Sequence, residues 1–227
     1  MTTLGKALEL TQEAIMKTLD WSYDKAINGG VPRMTTAVEL ADSYLNKSGT
    51  MDEKVKSLIL WQNTKSATSG FLTGLGGLVT LPVAIPVNVT SVILVQMRMV
   101  AAIAHMGGYD LKDDQVKSFV YASLAGSGAM DILKNSGIQI GRKLAISGIK
   151  KVPYGVLKRI NQGVGFRLVT KFGSKGVINL GKLVPLAGGV IGGTVDALST
   201  NTIGNVAYKI FIENDEEDDS PVIIDMT

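Results

Sequence analysis

Apolar and charged residues alternate at helical spacing along the first third of the chain, and then the charges stop. Leu4, Leu8, Ile15, Leu19 and Tyr23 fall on one face of a helix predicted over 4–28, which Gly29-Gly30 and Pro32 close. A second helix, 35–47, starts at a Thr35 or Thr36 cap and carries the amphipathic "AVELADSYL" before Gly49. A third begins at Thr50/Asp52 with Val55, Leu58, Ile59 and Trp61 on its apolar side. From 66 to 97, 32 consecutive residues carry no formal charge, more than the roughly 20 apolar residues that cross a bilayer. Pro82 and Pro86 interrupt that run, each costing about 3 kcal/mol inside a helix. It therefore divides into an arm over 66–80 and a longer one over 87–106. The first arm reaches only about 20–24 Å against a hydrocarbon thickness of ~30 Å. The second is long enough but carries Gln96, Arg98 and His105. The pattern is that of a proline-broken apolar hairpin, stored in a core and apolar enough to enter lipid. "HMGGYDLKDD" then stops one helix and starts another over 111–125.

The second half repeats the theme with a different charge. Glycines and Pro153 break 138–182, and its cation pairs Arg142-Lys143, Lys150-Lys151 and Lys158-Arg159 recur every eight residues. On one straight helix such pairs would drift by about 80° each time, so several short helices, each with one basic edge, are predicted. A second glycine-rich apolar segment, 179–211, again leads into a helix. "GGLVTLP" and "GKLVPLA" both precede a long apolar arm, which suggests a distant internal pseudo-repeat. The fold class is all-α. A single helical domain over 1–212 packs two Gly/Pro-broken apolar hairpins together, followed by a disordered acidic tail, 213–227. Within the domain, 1–33 is an N-terminal helix, 34–131 a first half with the apolar hairpin, and 132–212 a basic second half.

Charge sharpens this picture. The net +3 hides an asymmetry: residues 1–131 hold 11 basic and 12 acidic groups, 132–195 hold 11 basic and no acidic groups, and 196–227 hold eight acidic groups and Lys209. A stretch of that length without a carboxylate invites an anionic partner. The expected contacts are Arg142, Lys143, Lys150, Lys151, Lys158, Arg159, Arg167, Lys171 and Lys175. The acidic tail is able to compete for the same face. Cysteine is absent and histidine occurs once, at His105, so thiolate and multi-histidine metal sites are excluded. The charged, amphipathic N-terminus has no apolar signal core, which makes a cytoplasmic, peripherally membrane-associated location the expectation.

The blocks "WQNTKSATSGFLTGLGGLVTLPVAIPVNV", "MRMVAAIAHMGGYDL" and "RLVTKFGSKGVINLGKLVPLAGGVIGGTVDALSTNTIG" resemble the signature blocks of the EcsC protein family. The resemblance covers about 35–211. It implies an all-helical single domain of bacterial or phage origin. The family takes its name from an operon that also encodes an ABC transporter, and the resemblance brings no catalytic residue with it.

Candidate chemistry is sparse. "GVINLGK", Gly176 to Lys182, fits the core of a phosphate-binding loop, but Leu183 stands where a magnesium-holding Ser or Thr belongs. Gly188-Gly189, Gly192-Gly193 and Gly70/Gly74 make small-residue ridges suited to close helix packing, or to self-association if the protein inserts. Arg98, Asp131 and Asp196 are charges set among apolar residues, and the cost of an unpaired buried charge predicts that Arg98 pairs with Asp196 or Asp131. His105 has no nucleophile elbow to serve and reads as a capping or core residue. The basic stretch contains Tyr154, Phe166 and Phe172 but no nucleic-acid-reading module.

No metal, cofactor or catalytic residue is expected. The function these residues favour is membrane association. The basic face binds anionic lipid while Phe71, Leu72, Leu75, Leu78, Pro82, Pro86, Val190 and Ile191 contact or enter the bilayer. The alternative is an accessory protein whose basic face docks an acidic partner such as a transporter or secretion component. An enzyme of unknown type is a third reading, without a positive sequence signal.

Overall fold

Thr36 and Glu39 close a capping box: the Thr36 amide donates to Glu39 Oε2 at 2.8 Å and the Glu39 amide donates to Thr36 Oγ1 at 3.2 Å. Thr50 and Glu53 do the same one helix later, at 2.8 and 3.3 Å. Thr11 caps the first helix by accepting from the Ala14 amide. The computed structural model describes residues 11–66, 85, 87–138, 146–172 and 188–213. Along 64–66, 87–88 and 188–198 it describes the backbone alone. The helices are α1 (Gln12–Asn28), α2 (Ala37–Leu45), α3 (Met51–Ser66), α4 (Val87–Met106), α5 (Asp114–Leu124), α6 (Ala129–Asn135), α7 (Ile146–Lys150), α8 (Tyr154–Phe172) and α9 (Gly188–Phe211). A 3-10 turn, Gly126–Gly128, joins α5 to α6. No β-strand occurs among the described residues, and the chain folds as a single all-α domain.

The centre of the fold is α4, which packs against α1, α2, α3, α5 and α9. A helix apolar on every face belongs in such a position, and Ile93 through Ala104 are all buried. Its stretch Val89–Met106 has the length and apolarity of a membrane span, yet 83% of it is buried inside the protein. Its polar groups are tied to neighbouring helices. Gln96 Nε2 donates to Thr200 Oγ1 of α9 at 3.1 Å, and Arg98 donates to the Thr35 carbonyl at 3.2 Å, to Thr35 Oγ1 at 3.3 Å and to Gln62 Oε1 at 3.5 Å.

The sequence expectations need four corrections here. Lys150 closes the short α7 while Lys158 and Arg159 lie on α8, so these pairs do sit on separate helices. But α8 runs 19 residues and carries every described cation from Lys158 to Lys171, rather than being one of several short helices. Its glycines serve packing: a Cβ at Gly163 would stand 3.0 Å from Ile132 Cγ2, and one at Gly165 2.7 Å from Gln12 Cγ. Pro153 lies in the break between α7 and α8, as expected, and also opens α8, since its carbonyl accepts from the Val156 amide at 2.9 Å. Asp131 is exposed on α6 and is no partner of Arg98, whose head is anchored to α3 and the entrance of α2. Trp61 is half exposed, not part of the core side of α3. His105 is neither core nor cap; it sits half exposed in the last turn of α4, with Nε2 4.0 Å from Asp42 Oδ1.

Candidate functional site

α8 carries the functional candidates because it packs on one side only. Val156, Leu157, Ile160, Val164 and Leu168 form its buried stripe against α1, α5 and α6. At about 100° per residue, Tyr154, Lys158, Arg159 and Phe166 share an outer arc of about 140°. Tyr154 is 80% exposed and Phe166 71%, and Lys158 and Arg159 beside them are exposed as well. Arg159 reaches the Ser136 carbonyl at 3.5 Å, which steadies its stem without satisfying its charge. Lys150 and Lys151 lead into the helix, with Lys150 Nζ 3.5 Å from Asp113 Oδ2. The segment 146–172 holds six cations (Lys150, Lys151, Lys158, Arg159, Arg167 and Lys171) and no carboxylate.

At the far end of α8 the cations lean on neighbouring elements. Lys171 Nζ lies 2.7 Å from Ser199 Oγ of α9 and 5.1 Å from the centre of the Phe172 ring. Arg167 lies against the 3-10 turn: a Cβ at Gly128 would stand 3.0 Å from its Nε. Around them Ala125, Gly126, Ser127, Thr170, Ser199 and Thr202 complete a hollow of about 390 Å³.

Of the residues singled out from sequence, Lys150, Lys151, Lys158, Arg159, Arg167 and Lys171 are thus brought to one helix and its approach. Arg142, Lys143, Lys175 and the insertion candidates Phe71, Leu72, Leu75, Leu78, Pro82 and Pro86 lie outside the described residues, as do the loop 176–182 and the tail from 214. Val190, Ile191 and Asp196 fall on the backbone of α9, with side chains outside the description. Arg98 is 5% exposed, and its burial pulls the guanidinium down to about 10. Among the described residues no cluster of three or more His, Asp or Glu side chains stands ready for a metal. Sequence reasoning missed the hydroxyls of Ser127, Thr170, Ser199 and Thr202. They come from three separate segments, and no spacing pattern announces them.

The sequence profile of the EcsC protein family matches residues 2–212, and the chain belongs to that family. No curated protein and no solved structure matches it.

Proposed function

We propose that this EcsC-family chain is a membrane-associating, amphitropic protein, not a catalyst, that lays the outer face of α8 on anionic headgroups at the cytoplasmic surface. One observation carries the reading: Tyr154 and Phe166, two of the most exposed large apolar side chains described, flank Lys158 and Arg159 on a helix whose opposite face is buried. Exposed aromatics between cations are the equipment of an interfacial helix, in which the rings settle at headgroup level and the cations face lipid phosphates. Each Lys or Arg held at an anionic surface contributes about 1 kcal/mol. The burial of α4 supports attachment through the surface of α8, with α4 kept as core. The acidic residues from Glu213 onward compete for the same cations and weaken attachment, so deletion of 213–227 strengthens it.

Flotation with neutral and anionic vesicles, at low and high salt, tests the reading. Co-flotation with anionic vesicles alone, lost in high salt, is the expected result. Binding to neither vesicle type refutes it and leaves the second reading, in which the same face docks an acidic protein partner. Equal binding to both types also refutes the electrostatic part and points to apolar insertion.

A further inference from the structure

The hollow at the end of α8 gathers groups from three stretches distant in sequence: the turn Ala125–Ser127, Arg167, Thr170 and Lys171 of α8, and Ser199 and Thr202 of α9. Among its described lining residues two are cations, four carry hydroxyls and none is a carboxylate. The turn is built to let a cation lie on it. Gly126 has φ +60°, in the left-handed region, and Gly128 has no side chain where a Cβ would meet the Arg167 guanidinium at 3.0 Å. Across the hollow, Lys171 Nζ holds Ser199 Oγ at 2.7 Å, which fixes the ammonium at the wall. Thr170 Oγ1 donates to the Phe166 carbonyl at 3.0 Å.

We infer that this hollow is a binding site for a phosphate ester. A planar guanidinium and an ammonium lining one hollow supply charge-assisted, partly bidentate donors to phosphoryl oxygens. Two cations match the charge of roughly −1.5 to −2 that a phosphate monoester carries at neutral pH. The volume is at the lower end of small-ligand sites, about 300–1,000 Å³, and fits a phosphoryl group with a small polyol attached. The inference rests on the membrane reading only for the source of the ligand. The ester is either a phospholipid headgroup, reached from the surface on which α8 lies, or a soluble metabolite.

Glycerol 3-phosphate titrated into the full chain by calorimetry, with glycerol as the uncharged control, tests the site apart from any membrane. Saturable binding of the phosphate ester is expected, weakened about tenfold or more in Arg167→Gln and in Lys171→Gln. Lys158→Gln/Arg159→Gln is expected to leave it unchanged. Arg167 is exposed, so its variant is expected to keep the unfolding midpoint and decides the matter if Lys171→Gln fails to fold. Vesicles then identify the source. A preference for phosphatidic acid over phosphatidylglycerol at matched surface charge, lost in Arg167→Gln, assigns a lipid headgroup; saturable glycerol 3-phosphate binding without that preference assigns a soluble ester. Absence of saturable binding, or equal affinity in the Arg167 variant, overturns the site. That failure leaves anionic-vesicle binding through Lys158 and Arg159 intact, so the two readings fail separately.

Discussion

Replacing Gly204 by alanine sets two physical effects against each other, and the structure decides the sign. In a helix interior, Gly→Ala stabilises by about 1 kcal/mol through backbone entropy alone. At Gly204 the added Cβ would lie 2.8 Å from both Cγ1 and Cγ2 of Ile59 and 3.2 Å from its Cδ1. Carbon atoms pack best at about 3.5–4.0 Å. Ile59 is buried on α3 and β-branched, so both clashing atoms are fixed close to the backbone and cannot swing aside. α3 and α9 must part or Ile59 must leave its rotamer, at a cost of about 2–3 kcal/mol. The net effect is a loss of about 1–2 kcal/mol, or roughly 3–6 °C in Tm for a chain of this size.

Gly155 supplies the control, because it lies in α8 with nothing within 4 Å of its Cβ position. Gly155→Ala is expected to raise Tm by about 1–3 °C. Thermal unfolding followed by circular dichroism reads both variants. In an Ile59→Ala background the Gly204→Ala penalty disappears, since the atoms it strikes are gone, and the coupling measured by that cycle is the packing term itself. A Gly204→Ala protein that melts as high as Gly155→Ala would refute the close approach of α9 to α3.

Three further outcomes are expected. Lys158→Gln/Arg159→Gln removes two cations worth about 1 kcal/mol each at an anionic surface, so partitioning onto anionic vesicles weakens about 30-fold with Tm unchanged; an equal affinity would remove α8 from the interface. At high pH the protein loses stability: burial pushes the Tyr109 phenol up to about 12, the Asp52 carboxylate pushes Tyr208 up to about 12, and burial raises Tyr23 and Tyr121. These folded values exceed the unfolded value of about 10, so the stabilisation is complete below pH ~10 and lost as pH rises through it. Arg98, lowered to about 10, acts in the opposite sense but is one group against four. Phenolate absorbance measured against ellipticity checks this, and tyrosine ionisation well before unfolding would contradict it. Hydrogen exchange in α4 stays equally slow with and without anionic vesicles, because α4 is the core; faster exchange on binding would mean that α4 leaves it.

Several helix ends were legible from local rules, although the Thr11 cap that starts α1 at Gln12 was read through as part of a helix over 4–28. Thr36, Thr50 and the glycines after α1 and α4 act within a few residues of themselves, so their spacing in the chain is their geometry. The prolines at 82 and 86 likewise placed the start of α4, observed at Val87. What failed were residues whose role is set by a distant neighbour. Gly163 and Gly165 read as breaks because only Ile132 and Gln12 reveal them as contact points. Of the two partners expected for Arg98, Asp196 has its side chain outside the described residues and Asp131 is exposed elsewhere; the fold supplies a carbonyl and an amide oxygen from Thr35 and Gln62. The basic face was legible as composition, since six cations without a carboxylate need no fold to be counted. Its aromatic component and the hollow beside it required knowing which arc of α8 faces outward and which helix lies across from Lys171.

The contrast between α4 and α8 explains why apolarity misleads in a chain like this. Hydropathy reports how many neighbours a helix has, whatever those neighbours are. Among the described residues α4 packs against five other helices, which leaves its one cation, Arg98, buried and its sequence with the length and apolarity of a bilayer span. α8 packs its buried stripe on α1, α5 and α6, meets α9 only at its far end and keeps an outer arc, so its composition records what that arc meets. If water alone met it, charged and small polar residues would suffice, and two large rings at 80% and 71% exposure would forfeit burial worth about 1.5–3 kcal/mol each for nothing in return. Their position on either side of Lys158 and Arg159 along the helix is accounted for when the arc meets a phase that is apolar within and anionic at its edge. On the proposed reading the membrane contact therefore lies on a helix of mixed composition, while the helix long and apolar enough to span a bilayer is the one that holds the fold together.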